Sequence, residues 1–194
     1  MRDTFKTLPS PLCFWTPDNS KWEFRNQIVN VNDKYYIGEW SVSTNWPHGF
    51  GIWFSAGFVY EGYTFEGKWV GMAWNIGNEW IYEGNYVNDW REGFATLALI
   101  DGERYKGEYW NGDLEGLGEW VYLDGKKYSG GWKDGLRHGY GVVEYPDGSA
   151  WQGWFKEGKA CQKGVLTNKT GAWYMVSLKN FDELSSDLVC IIKD

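Results

Sequence analysis

The chain has 194 residues, 20% of them aromatic, with 15 Trp, 13 Tyr, 10 Phe and 26 Gly against 5 Pro. Aromatic content this high excludes an intrinsically disordered chain, and glycines that do not recur every third residue exclude a collagen-like one. A formal net charge of -7 argues against nucleic acid as the main partner and against broad adhesion to anionic lipid.

The opening stretch MRDTFKTLPSPLCFW has no seven-residue apolar run, so no secretory signal is expected. No 18-residue apolar run occurs anywhere, so no membrane-spanning helix is expected. Cys13, Cys161 and Cys190 are far apart, odd in number and free of a CxxC spacing. That usage fits reduced thiols in a cytosol-like, intracellular compartment. Residues 1–35 hold no clean repeat. Thr16-Pro17-Asp18-Asn19 reads as a turn between Phe14-Trp15 and Trp22 to Phe24, and Gln27 to Val31 reads as a further strand. Together they form an atypical N-terminal capping hairpin, which repeat arrays require.

A repeat begins at Tyr36. The pentads YIGEW, YEGYT, YEGNY, YKGEY, YSGGW and WQGWF start at Tyr36, Tyr60, Tyr82, Tyr105, Tyr128 and Trp151, in steps of 24, 22, 23, 23 and 23. A degenerate seventh copy starts at Tyr174, where Val176 replaces the glycine. Glycines recur inside the copies: Gly112, Gly135 and Gly158; Gly116 and Gly139; Gly118, Gly141 and Gly164; Gly102, Gly125, Gly148 and Gly171. A period of about 23 holds two short strands and two turns. Asp101-Gly102, Asp124-Gly125 and Asp147-Gly148 mark one hairpin turn, and Asn111-Gly112 and Asp134-Gly135 the other. The predicted fold is all-β: an elongated single-layer antiparallel meander of about six β-hairpin repeats over residues 36–173.

Strand alternation assigns the faces. Tyr105, Gly107 and Tyr109 share a side, as do Gly116, Gly118, Trp120 and Tyr122, and in the next copy Tyr128, Gly130, Trp132, Gly139, Gly141, Val143 and Tyr145. Glycines beside rings predict a floor free of Cβ atoms under the aromatics. The opposite face, read from Lys106, Glu108, Leu117, Glu119 and Val121, is a solvated mixture. Residues 174–194 hold the degenerate copy and a tail. There Phe181, Leu184, Leu188, Ile191 and Ile192 fall near spacings of three and four and predict a short C-terminal helix, with Asn180 and Glu183 as a capping pair.

Catalytic signals are thin. His48 and His138 each precede a repeat glycine, so they read as one structural position. No HExxH, GxSxG or P-loop occurs, and the paired glycines of Gly116 and Gly118 lack the third glycine of a dinucleotide fingerprint. Turn chemistry accounts for the Asp column without a metal. The expectation is no enzyme, no cofactor and no metal site.

The candidate site is the ring row itself: Tyr82, Tyr105, Tyr109, Trp120, Tyr122, Tyr128, Trp132, Tyr145 and Trp151. Two readings stand side by side. The rings stack on one another as the core of a one-layer sheet, or they are offered to a partner, since large exposed apolar surface marks interaction sites and Trp and Tyr dominate interface hot spots. A helical or extended protein segment is the expected occupant of such a groove, with the chain's own tail from Phe181 to Ile192 as the competitor.

The motif Y-x-G-x-[YW]-x-x-G-x-x-x-G-x-G with a later D-G, best kept from Tyr105 to Lys127 and Tyr128 to Ala150, resembles the MORN (membrane occupation and recognition nexus) repeat family. The resemblance implies a non-enzymatic scaffold or adaptor that binds proteins, a structural subunit of a cytoskeletal, ciliary or organellar assembly in the cytoplasm. It also implies an alternative, a membrane-associated or phosphoinositide-binding module with peripheral membrane contact, which the acidic balance opposes. Similar repeats precede the catalytic domain of some lysine methyltransferases, but nothing resembling that domain follows residue 173.

Overall fold

A computed structural model describes residues 21–178 and 188–191. The expected turn at Thr16 to Asn19, Cys13, and the tail from Asn180 to Asp187 lie outside these residues. All regular structure among the described residues is strand: β1 (Trp22–Val31), β2 (Lys34–Ser41), β3 (Pro47–Ser55), β4 (Phe58–Phe65), β5 (Lys68–Gly77), β6 (Trp80–Val87), β7 (Trp90–Leu99), β8 (Arg104–Trp110), β9 (Asp113–Val121), β10 (Lys127–Lys133), β11 (Leu136–Glu144), β12 (Ala150–Lys156), β13 (Lys159–Thr167), β14 (Trp173–Leu178) and β15 (Leu188–Ile191). Their order in the sheet is their order in the chain, an open antiparallel meander of 15 strands without a crossover.

The two ends depart from the sequence reading. Trp22 to Phe24 and Gln27 to Val31 belong to a single strand, β1, which pairs with β2 and absorbs a bulge between Arg25 and Val29. The expected C-terminal helix is absent where it can be judged: Leu188–Ile191 form a strand that pairs with β14, Leu178 opposite Leu188 and Met175 opposite Ile191. A short apolar run does not distinguish helix from strand by its own spacing. Here β14 presents unpaired backbone groups, and pairing satisfies them.

The hairpin turns come in two kinds. At Asn111-Gly112 and Asp134-Gly135 both residues have positive φ, 48° and 91° and then 49° and 75°, as a two-residue turn that matches strand twist requires. The Asp-Gly turns are longer. Leu99 N–H donates to Glu103 O and Gly102 N–H to Leu99 O, so three residues form the loop and only the glycine is left-handed. The Asp carboxylates accept the N–H two residues on: Asp101 from Glu103, Asp124 from Lys126, Asp147 from Ser149. Turn capping therefore occupies the Asp column, as its spacing suggested.

The described residues fall into two compact units, one reaching to Asn78 with Asn85–Asp89 added, the other comprising Glu79–Gly84 and the chain from Trp90 onward. Each is built the same way. In the first, Gly38, Gly51, Gly62 and Ala73 lie opposite one another across β2 to β5, and beside them run Tyr36, Trp53, Tyr60 and Asn75. In the second, Ala95, Gly107, Gly118, Gly130, Gly141, Gly153, Gly164 and Val176 form the small-residue file across β7 to β14. The parallel file is Leu97, Tyr105, Trp120, Tyr128, Val143, Trp151, Leu166 and Tyr174.

This pairing of files is how one layer makes a core without a second sheet. A tyrosine two residues before a glycine lies along its own strand and covers that glycine and the one opposite. Its hydroxyl donates to the carbonyl three residues ahead: Tyr36 to Glu39 at 2.9 Å, Tyr60 to Tyr63 at 2.7 Å, Tyr105 to Glu108 at 3.0 Å and Tyr128 to Gly131 at 2.8 Å. The expected glycine floor is present at Gly107, Gly118, Gly130 and Gly141, each of which meets a tyrosine ring or hydroxyl. Gly116 and Gly139 are different from the floor assigned to them. They have φ of 69° and 73° and sit where the register of β8–β9 and β10–β11 shifts. Each is the left-handed residue of a bulge.

Candidate interaction surfaces

The nine ring-row residues all fall in the second unit, and the fold brings them together. Tyr82, Tyr105, Tyr109, Tyr128, Trp132 and Trp151 are buried, none more than 7% exposed. Trp120, Tyr122 and Tyr145 are half-buried. Their edges and faces interlock: Tyr82–Tyr109 at 5.5 Å, Tyr105–Tyr109 at 5.4 Å, Tyr105–Trp132 at 5.5 Å, Tyr128–Trp132 at 5.2 Å and Trp120–Trp132 at 6.0 Å between centroids. Trp151 and Tyr128 both meet Phe155, at 5.1 and 5.0 Å. All of these pairs except the tilted Trp120–Trp132 are near perpendicular, which adds to burial because the positive ring edge meets the negative face.

Arginines cover what the rings leave open. Arg91 lies 4.6 Å from the Tyr82 ring and 4.7 Å from Trp80, and Arg137 lies 5.0 Å from Phe155 and 5.7 Å from Tyr128. The Trp120 indole N–H donates to Glu103 Oε2 at 2.9 Å. Burial pushes the hydroxyls of Tyr128 and Tyr145 up to about 12, with the Arg137 charge opposing. The same desolvation raises Tyr36, Tyr60 and Tyr105 further. The hydroxyls of Tyr36, Tyr60, Tyr105 and Tyr128, each bonded to a backbone carbonyl, are anchors of the core.

The opposite face differs between the two units. In the second it is a mixture, as the sequence suggested, with the exposed Phe94, Leu117, Tyr140 and Trp154 beside a polar file. Thr96, Lys106, Glu119, Ser129, Val142 and Gln152 run in register across β7 to β12. The neighbouring Lys127 pairs with Glu144 at 2.6 Å and with Glu119 at 3.6 Å. In the first unit the corresponding file is Ile37, Ile52, Glu61 and Trp74, and the next is Tyr35, Phe54, Val59 and Ile76. Phe50, opposite Tyr63, and Met72 extend it. Trp74 is 55% exposed and Met72 47%, and Tyr35, Phe50, Val59 and Ile76 are exposed too. A shallow depression of about 370 Å³ opens among Phe50, Glu61, Met72 and Trp74.

The sequence reading missed this patch because it took the opposite face from the copy at Tyr105 alone. The signal was there: Trp74 occupies the repeat position that holds Thr96 in one later copy and Glu119 in the next. The copies act as an internal control. A polar residue at that place builds the same hairpin, so folding does not demand the tryptophan.

Other candidates resolve into structure. His48 stacks on Trp22 at 3.7 Å and meets Phe65 at 4.9 Å. Burial lowers its pKa, and the Glu66 carboxylate opposes the shift. Among the described residues no group of His, Cys, Asp and Glu could hold a metal ion, and no helix is long and apolar enough to cross a membrane.

A search of curated proteins finds no match. Among solved structures the chain is similar to the TCP domain of SAS-4 (dCPAP) of Drosophila melanogaster, determined in complex with a proline-rich motif of Ana2 (dSTIL). Identity is 12%, the match covers 79% of this chain and 90% of that one, and the TM-score is 0.45. The sequence motif carries the stronger relation. Residues 82–104, 105–127 and 128–150, the copies in which the YxG pentad, bulge glycine and Asp-Gly or Asn-Gly turns are best kept, match the MORN repeat family as three consecutive repeats.

Proposed function

We propose that the protein is a non-enzymatic scaffold that binds other polypeptides through the open face of β2 to β5. One observation carries this reading. An exposed cluster of Tyr35, Phe50, Val59, Met72, Trp74 and Ile76 spans β2 to β5, and its Trp74 stands at the repeat position that Thr96 and Glu119 fill in later copies. Monomeric surfaces seldom keep a contiguous apolar patch unless something binds it, and aromatic residues with Met are enriched where proteins meet. The match of residues 82–150 to the MORN repeat supports a protein-binding or membrane-associated scaffold in general terms. In the second unit, the half-buried Trp120, Tyr122 and Tyr145 are the ring-row members within a partner's reach.

The test is a photo-crosslinking amino acid placed at position 74 and, as a control, at position 119. A discrete crosslinked polypeptide from position 74, lost on Met72→Ser, is the expected result. Identical, diffuse labelling from both positions would reject the reading. Peripheral adsorption to a membrane is the second reading, favoured by the same exposed Trp74. Flotation of the protein with neutral vesicles, abolished by Trp74→Ser, would select it over protein binding.

A further inference from the structure

We infer that the open face of β2 to β5 receives a polypeptide segment carrying an arginine flanked by apolar residues, with Glu61 and Trp74 as the arginine's receptor. This rests on the reading of that face as a protein-binding surface and names what the face recognises. Glu61 lies directly across the β4–β5 pair from Trp74 and across the β3–β4 pair from Ile52. Side chains at such directly opposed positions stand close enough to act on one group together.

The other ionisable groups of the face are accounted for. The Glu39 carboxylate accepts the Phe50 N–H at 2.7 Å, His48 is stacked between Trp22 and Phe65, and Lys68 lies at the turn end of the hairpin opposite Phe65. The Glu61 carboxylate makes no hydrogen bond or ion pair among the described residues. It is an exposed carboxylate set among Phe50, Ile52, Met72 and Trp74. An apolar partner without a cation would cover that carboxylate and leave it desolvated and unpaired, which is costly. A cation removes the cost. Arginine fits better than lysine because its planar guanidinium can pair with the carboxylate and lie on the indole face at once. A second copy docked by a two-fold axis through this patch would bring two Glu61 carboxylates together, and like charges across an interface repel.

The experiment is selection from a phage-displayed library of random peptides of about 16 residues on the full chain, with Trp74→Ser as the counter-selection target. The selected peptides are expected to carry an arginine within an apolar run. Their binding should weaken roughly fivefold on Glu61→Gln, the effect of losing one partly exposed ion pair. Glu61→Lys should reject them and accept the same peptides with that arginine changed to Glu. Peptides that require Trp74, lack a cation and ignore Glu61→Gln would overturn the arginine receptor and leave the face reading intact. Failure to select any peptide that requires Trp74 would overturn both. Trp74-dependent self-association in sedimentation would give the face to a second copy and overturn the proposal.

Discussion

The Tyr105 ring lies so close over Gly118 that a Cβ there would stand 2.6 Å from the ring's Cε2 and 2.7 Å from its Cζ. No real Cβ contact is that short, and the ring is held by its hydroxyl on Glu108 O and by Trp132 at its side. Gly118→Ala should therefore cost about 1–3 kcal/mol, the usual effect of overpacking. That corresponds to roughly 2–12 °C in Tm for a chain of this size. Gly57→Ala is the comparison, since its nearest neighbour would be 3.7 Å away. Equal melting temperatures for the two variants would refute the stacked floor.

The buried indole of Trp53 donates to Thr64 Oγ1 at 2.9 Å. Thr64→Val keeps the shape and removes the acceptor, leaving a buried N–H unpaired at a cost of about 1–3 kcal/mol. Adding Trp53→Phe to Thr64→Val should cost less than the sum of the two single changes, because each then removes half of a pair already broken. Urea denaturation of the four proteins measures the coupling.

Alkaline pH should destabilise the fold through its tyrosines. Burial raises Tyr128 to about 12 in the folded chain, against about 10 for an exposed tyrosine. The folded state thus favours the protonated hydroxyl. The stabilisation is complete below pH 10 and is lost as pH rises through about 12. Tyr128→Phe gives up the hydrogen bond to Gly131 O and about 1 kcal/mol at neutral pH, but it removes one ionising group. Thermal melts from pH 8 to pH 11.5 should show a shallower alkaline decline for the variant.

Trp74 is exposed and dispensable for the hairpin. Trp74→Ser should change stability by no more than about 0.5 kcal/mol, as surface substitutions usually do. It should also lower the binding of a hydrophobic dye such as ANS to the folded protein. A large loss of stability would mean that the indole serves the fold rather than the surface.

The register of the repeat and the glycine floor were legible from residues alone, because both are local. A tyrosine and the glycine two places on lie on one side of any strand, and a 23-residue period returns them to the same place in each hairpin. The core role of the six most buried rings was open at that level. Whether Tyr105 or Trp132 is covered depends on strands up to two places away, and only the paired strands bring Tyr109, Trp132 and Phe155 against the tyrosine file. The bulge role of Gly116 and Gly139 also needed the structure, since a glycine kept for its positive φ and one kept for lack of a Cβ look alike in a sequence. Leu188–Ile191 follow the same rule: their short apolar run allows helix or strand, and the open edge of β14 selects strand. The apolar patch around Trp74 was written in the sequence at a fixed repeat position. Its meaning came from tertiary structure, which put that position on the solvent side, where neither the glycine floor nor the ring file can bury it.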